Sequence, residues 1–215
     1  MTFRFYLRLL LAALLSVPVI LLLIAGVDAP LADLLHQQSA PLRPFFAGLM
    51  QLQDTLMSQP LWVWSGLLLL FIVTRLLRWP NSTIWLVALL TLISSEAIRN
   101  LSAPYFNRPR PSAVFSHVAP NAGFWQAVGR FDSFPSGHAA VTAGLLLPWA
   151  LRFPKARPWL LAWLGLVCLG RVVLEFHWLS DVVAGAALGL LLTCGFEIGT
   201  WWLRPKPMGI DDSRV

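Results

Sequence analysis

Charge is what this chain has least of. Only 12% of its 215 residues are Asp, Glu, Lys or Arg, about half of the ~25% usual in soluble domains, while 57% are hydrophobic. That balance excludes an ordinary water-soluble domain. Cysteine is also scarce. Cys168 and Cys194 both sit inside apolar runs and have neither disulfide nor metal-ligand spacing; they read as small packing residues. No carboxylate cluster and no Cys/His set suggests a metal site. Internal repeats and low-complexity tracts are absent too. The net charge of +6 comes mainly from residues at the ends of apolar runs and gives no basis for nucleic-acid binding.

What is present is a series of apolar segments, at about 8–27, 61–78, 83–98, 139–153, 158–175 and 181–203. A hydrocarbon core needs roughly 20 residues per helix, and lipid offers no partner to an unpaired backbone group. The sequence therefore predicts an all-α integral-membrane protein, a single domain over 1–215 built as a six-transmembrane-helix bundle. The third and fourth segments are short and are expected to extend into flanking polar residues. The first, about 20 residues long, reads as an uncleaved span rather than a signal with a 7–15-residue core. Lys and Arg favour the cytoplasmic side. With six spans, Arg4 and Arg8, Arg75 and Arg78, Arg152, Lys155 and Arg157, and Arg204, Lys206 and Arg214 all share that face. Both termini are then cytoplasmic. Tryptophans near segment ends, such as Trp62, Trp159 and Trp178, suit an interfacial belt.

The opposite face holds three segments. Residues 28–60 read as short amphipathic helices lying in the interface, or as a lip that guides a headgroup, with His36 an ordinary surface histidine. Residues 99–137 contain "RPRP" and end in "FDSFPSGH", and the third segment is "GRVVLEFHWLSDVVAG". The informative polar residues thus converge on one side of the membrane.

His177 and Asp181 are four apart and share a helical face. A carboxylate on one imidazole nitrogen fixes the tautomer and frees the other nitrogen to attack; an interfacial histidine beside a capping aspartate would give the same pattern. Pro135 and Ser136 look like a helix start, whose N–H groups at Ser136, Gly137 and His138 would face an anion. His138 could then protonate a leaving oxygen, although a plain capped helix start fits as well. Arg108 and Arg110, on a stiff Pro-punctuated segment, suit bidentate phosphate contact. Taken together, two histidines, several arginines, an aspartate four after a histidine and a helix start are parts for phosphoryl transfer through a phosphohistidine.

These motifs resemble the type 2 phosphatidic acid phosphatase (PAP2) superfamily of integral-membrane lipid phosphatases. Its signature is Lys-x6-Arg-Pro, then Pro-Ser-Gly-His, then Ser-Arg-x5-His-x3-Asp. The second is complete at Pro135-Ser136-Gly137-His138; in the third, Arg171, His177 and Asp181 match at the right spacing. The likeness covers roughly 95–195. It implies His177 as nucleophile, Asp181 as its orienter and His138 as general acid. Arg171, Arg110, Ser136 and Gly137 would hold the phosphoryl group, with Arg108 a further candidate. Gly170 stands where the family has serine. The motif lysine is missing, and Arg99, eleven before Arg110, is the basic residue that could take its place, with Glu96 as its pair. Pro104 predicts a broken helix between them.

The expectation is a metal-independent, cofactor-free phosphatase of a bacterial inner membrane. It would act on a lipid phosphate or diphosphate at the periplasmic surface, with undecaprenyl diphosphate the favoured substrate. Phosphatidylglycerol phosphate, phosphatidic acid and lipid A are alternatives, the last by hydrolysis or phosphotransfer. A lipid-binding or transport protein without turnover is the competing class. The expected partners are the lipid substrate and membrane lipids, and nothing in the sequence sets an oligomeric state.

Overall fold

Each apolar segment becomes helix, and among the described residues no strand forms. The structure is a computed structural model that describes residues 3–57 and 60–203. Arg204, Lys206 and Arg214 of the orientation pattern lie outside the described residues. The first segment is two helices, α1 (Phe3–Leu14) and α2 (Ser16–Gly26). They part beside Pro18, whose ring has no N–H to give to the turn before it. Then come α3 (Asp28–Gln38), α4 (Arg43–Met57), α5 (Pro60–Leu76), α6 (Thr83–Phe106), α7 (Pro111–Phe115), α8 (Gly137–Arg152), α9 (Arg157–Val173) and α10 (Leu179–Gly199). A short 3-10 turn at Trp201–Leu203 follows.

Among the described residues, three stretches are long and apolar enough to cross a membrane: Phe3–Gly26, Thr83–Phe115 and Leu179–Gly199. Leu61–Leu76 is apolar but shorter. Many large hydrophobics are on the outside. Leu22, Leu61, Trp62, Leu76 and Trp159 are each at least 70% exposed, whereas Ser82, Thr91, Ser95 and Thr193 are fully buried. A surface of that kind is stable against lipid, not water. Trp178 departs from the expected belt. It is buried, and its indole N–H donates to the Pro109 carbonyl.

Helix α8 packs on α6, α9 and α10. Its contact with α10 is close because Gly185 lies against the Ser136 carbonyl, where a Cβ would come within 2.3 Å; small residues let membrane helices approach this way. At the far end of α8, Arg152 makes a two-pronged bond to buried Glu197 of α10, at 2.8 and 2.9 Å. The near end gathers the start of α8, the end of α6, the end of α9 and the start of α10.

The helix expected to break at Pro104 does not: α6 runs through it to Phe106. It stops at Asn107, which is left-handed (φ 43°), a conformation asparagine tolerates better than most residues. The Asn107 side chain holds the following loop through the Gln126 carbonyl and the Phe131 N–H, both at 2.7 Å. Segment 28–57 is also more than a surface lip. Helices α3 and α4 both pack on α9, and Gln53, buried, donates to Thr142 Oγ1 on α8 at 2.7 Å.

Candidate active site

A cavity of about 230 Å³ opens at the near end of the bundle. It is lined by Arg99, Asn100, Arg110, Gly137, His138, Arg171 and His177, together with Val63, Leu92, Glu96 and Val141. It combines cationic and hydrogen-bonding groups with apolar ones. Of the residues singled out in the sequence, it brings together His177, His138, Arg171, Arg110, Gly137 and Arg99.

His177 sits in the turn between α9 and α10 and is 2% exposed. Its Nδ1 lies 2.8 Å from the Ser133 carbonyl. A carbonyl only accepts, so Nδ1 carries the proton and Nε2 keeps the lone pair. The expected orienter, Asp181, stands farther off, 3.7 Å from Nδ1. Its carboxylate is taken by Arg108 Nη1 (2.6 Å), Ser133 Oγ (2.5 Å) and the Trp178 N–H (3.0 Å). Asp181 therefore acts on His177 mainly by fixing Ser133, whose carbonyl makes the contact. Burial holds the His177 imidazole below its ordinary pKa of 6.5; Asp181 pulls it back up, and Arg171 and Arg110 add to the lowering. The neutral, nucleophilic form is favoured.

Arg171 ends α9 and is 5% exposed, its guanidinium lying 4.5 Å over the Phe176 ring. Its Nε is buried without a hydrogen-bond partner, and no carboxylate among the described residues makes an ion-pair contact with it. A buried guanidinium in that state is costly without an acceptor.

Arg99 reaches the cavity from α6. Its side chain lies against Gly137, where a Cβ would meet Arg99 Cγ and Nε at 3.3 Å, so the glycine lets the arginine in. Arg99 bonds Asp132 rather than the expected Glu96. Its Nη2 donates to Asp132 Oδ2 (2.8 Å), while Arg110 donates to the same carboxylate through Nε (3.1 Å) and Nη2 (3.0 Å). Burial raises the Asp132 pKa, but Arg110 and then Arg99 outweigh it and hold the carboxyl below 3.8. Asp132 thus ties two cavity arginines together as a stable anion.

Two expected phosphate ligands are elsewhere. Arg108 is 2% exposed beneath the site, donating to Asp181 (2.6 Å), Asp28 (2.7 Å) and Ser180 Oγ (2.7 Å). Its guanidinium is packed by the Phe124 and Trp178 rings. It is a strut joining α3, the loop after α6 and α10. Ser136 is fully buried; its N–H donates to the Asp181 carbonyl at 3.0 Å and its hydroxyl caps Ala139 N–H. It shapes the helix start but does not line the cavity. The next two N–H groups, of Gly137 and His138, have no helical carbonyl to bond.

Two carboxylates near the site, Asp54 and Glu175, carried no signal in sequence. Asp54 of α4 lies 2.5 Å from His138 Nε2. Glu175 is 5% exposed and bonded by Arg43 and, at 3.0 Å, by His36 Nδ1. His36, 48% exposed, is a surface histidine as expected, and it also stacks on Phe115. The family serine absent at Gly170 has a steric reason here: a Cβ would stand 2.9 Å from Phe46 and 3.1 Å from Met50 of α4.

Comparison with known proteins gives the family and the fold. The lipid A 1-phosphatases of Rhizobium johnstonii and Rhizobium etli are each 33% identical over 110 residues, 49% of this chain. That stretch is 44% and 46% of their own lengths, so the chain spans about half the length of the curated relatives it matches. A crystal structure of a transmembrane PAP2-type phosphatidylglycerolphosphate phosphatase from Bacillus subtilis superposes with a TM-score of 0.56 over 96% of both chains, at 21% identity. At that identity the likeness is one of fold. The family model of the PAP2 superfamily matches residues 84–205, which include both histidines and the arginines of the cavity: the chain belongs to the PAP2 superfamily.

Proposed function

We propose that the chain is a lipid phosphate phosphatase that works through a phosphohistidine on His177, with no metal, in a bacterial inner membrane. The proposed topology has six spans and cytoplasmic termini, with the cavity at the periplasmic surface. The observation that carries this reading is Arg171, buried and without an acceptor on its Nε, in the same cavity as His177.

His177 Nε2 attacks phosphorus, forming a P–N bond as the P–O bond to the lipid breaks. The departing oxygen keeps the electron pair and takes a proton from His138. Arg171, Arg110 and Arg99, with the free N–H groups at Gly137 and His138, stabilise the equatorial oxygens in the loose transition state. Water then attacks the phosphohistidine, gives a proton back to His138, and releases orthophosphate as the P–N bond breaks. Asp181 and Ser133 hold His177 in the reactive tautomer throughout. The apolar lining residues Val63, Leu92 and Val141 suit the first part of a lipid tail.

Among lipids, a phosphomonoester on a hydroxyl-rich headgroup fits better than the initially favoured undecaprenyl diphosphate. Asp132 already occupies two of the three cavity arginines, which leaves less positive charge for a diphosphate. Glu96, an acceptor when ionised, lines the cavity and suits hydroxyls rather than a second phosphate. The lipid A 1-phosphatase relatives point the same way.

The test is phosphate release by purified protein with chelator present, from lipid A 1-phosphate, phosphatidylglycerol phosphate, phosphatidic acid and undecaprenyl diphosphate side by side. The expected result is fastest release from lipid A 1-phosphate, abolished in His177→Ala. No release from any of the four, or a wild type indistinguishable from His177→Ala, would mean a lipid-binding protein without turnover. Fastest release from undecaprenyl diphosphate would overturn the headgroup assignment alone.

A further inference from the structure

Helix α4 belongs to a segment that carries none of the motif residues, yet it touches the site at a chemically pointed place. Asp54 Oδ1 lies 2.5 Å from His138 Nε2. One residue earlier, Gln53 bonds Thr142 Oγ1 at 2.7 Å. His138 and Thr142 are four apart on α8 and so lie on one helical face. Consecutive residues of α4 therefore engage that face in register. The opposite end of α4 is anchored as well: Arg43 bonds Glu175 in the turn that carries His177, and Phe46 and Met50 fill the space over Gly170. Asp54 is held in place by these neighbours even though its own side chain is 54% exposed.

We propose that Asp54 is a positioning residue for His138, forming a carboxylate–imidazole pair that orients the general acid and opposes the loss of its proton. This rests on the phosphatase reading above. His138 needs such a partner because the charges around it are otherwise mostly unfavourable to a cation. Arg171 approaches from α9, Arg99 from α6, Arg110 from the loop after α6 and His177 from the turn before α10. Asp54 is the carboxylate in direct contact with the imidazole; Glu96 lines the same cavity, and Asp132 is engaged by Arg99 and Arg110. With Nε2–H donated to Asp54, the proton on Nδ1 is the one given to the leaving oxygen, and it returns from water when the phosphohistidine is hydrolysed. Nδ1 has no hydrogen-bond partner among the described residues. Asp54 itself takes up no proton over the cycle; it holds Nε2–H throughout.

A leaving-group comparison tests this. Dodecyl phosphate has a poor alkoxide leaving group that needs a proton, whereas 4-nitrophenyl phosphate leaves as a stable phenolate. General acid catalysis contributes typically ~10²–10⁴-fold, so Asp54→Asn should lower kcat on dodecyl phosphate by about 10²-fold. KM should move little, and 4-nitrophenyl phosphate should slow at least ~10-fold less than the alkyl ester. Asp54→Glu should recover part of the loss. In a His138→Ala background, Asp54→Asn should add nothing further, as expected for residues acting as one unit. Equal slowing of both esters would overturn the pair, since it indicates a structural role. So would a change in KM alone, which would mark Asp54 as a competitor for the phosphate site. Should the wild type hydrolyse neither ester nor any lipid of the panel, the phosphatase reading itself falls and the pair with it. A wild type that turns over while Asp54→Asn matches it on both esters removes only the pair.

Discussion

Replacing Arg108 separates a structural strut from a phosphate ligand. The arginine is 2% exposed and its two carboxylate partners, Asp28 and Asp181, are 3% and 0% exposed. Arg108→Met keeps most of the side-chain volume between Phe124 and Trp178 but leaves two buried carboxylates without their cation. Breaking a buried ion pair by removing one partner costs about 3–5 kcal/mol. Counting two charge-assisted hydrogen bonds at about 1.5–3 kcal/mol each gives a similar 3–6 kcal/mol. For a chain of this size, each kcal/mol moves Tm by about 2–4 °C, so the drop should be about 6–20 °C. Thermal unfolding in detergent, followed by a thiol-reactive dye on buried Cys194, reads this directly. Adding Asp28→Asn removes one stranded carboxylate and should restore part of the loss. An Arg108→Met protein with unchanged Tm and collapsed phosphate release would refute the strut and return Arg108 to the phosphate ligands.

The remaining predictions concern the cavity itself. Arg171→Ala should lower kcat by about 10²–10³-fold, the usual cost of one oxyanion-stabilising group, and Arg171→Lys should recover little because the planar fork is lost; phosphate-release kinetics check both. Burial favours neutral His177, so phosphoenzyme formation in rapid-mix experiments should have its acid limb below pH 6.5. The same shift makes the unfolded chain bind more protons than the folded one between the folded pKa and 6.5. Stability should therefore fall as pH drops through that window, and an acid limb above pH 6.5 would contradict the burial argument. Gly170→Ser restores the family residue but drives its side chain toward Phe46 and Met50. It should cost about 1–3 kcal/mol by overpacking and gain no turnover, as thermal unfolding and phosphate release will show.

Several of these groups could be read from the sequence because their partners are close along the chain. His177 and Asp181 are four apart, and Gly137 and His138 follow the helix-start signal of Pro135 and Ser136. Arg108 and Arg110 were not distinguishable in this way. Arg110 has polyproline-type backbone angles (φ −74°, ψ 153°). With about three residues per turn, side chains two apart point in different directions. One enters the cavity and the other the buried network. Pro104 misled for a related reason. Its cost is local and falls in the last turn of α6, beyond most of the buried positions, Thr83 to Ser95, that anchor the helix.

The sequence by itself determined that this is an all-helical membrane chain, because scarce charge and long apolar runs admit no other solvent. It also determined which histidines and which aspartate match the family's motifs. Only the tertiary structure decided how charge is distributed around them. The partners of Arg99, Arg110 and His138 are Asp132 and Asp54, which lie 33, 22 and 84 residues away respectively. No helical or strand period relates residues so far apart. Their meeting depends on the approach of α6 and α8 and on the docking of α4 over Gly170. The packing of whole helices sets those distances.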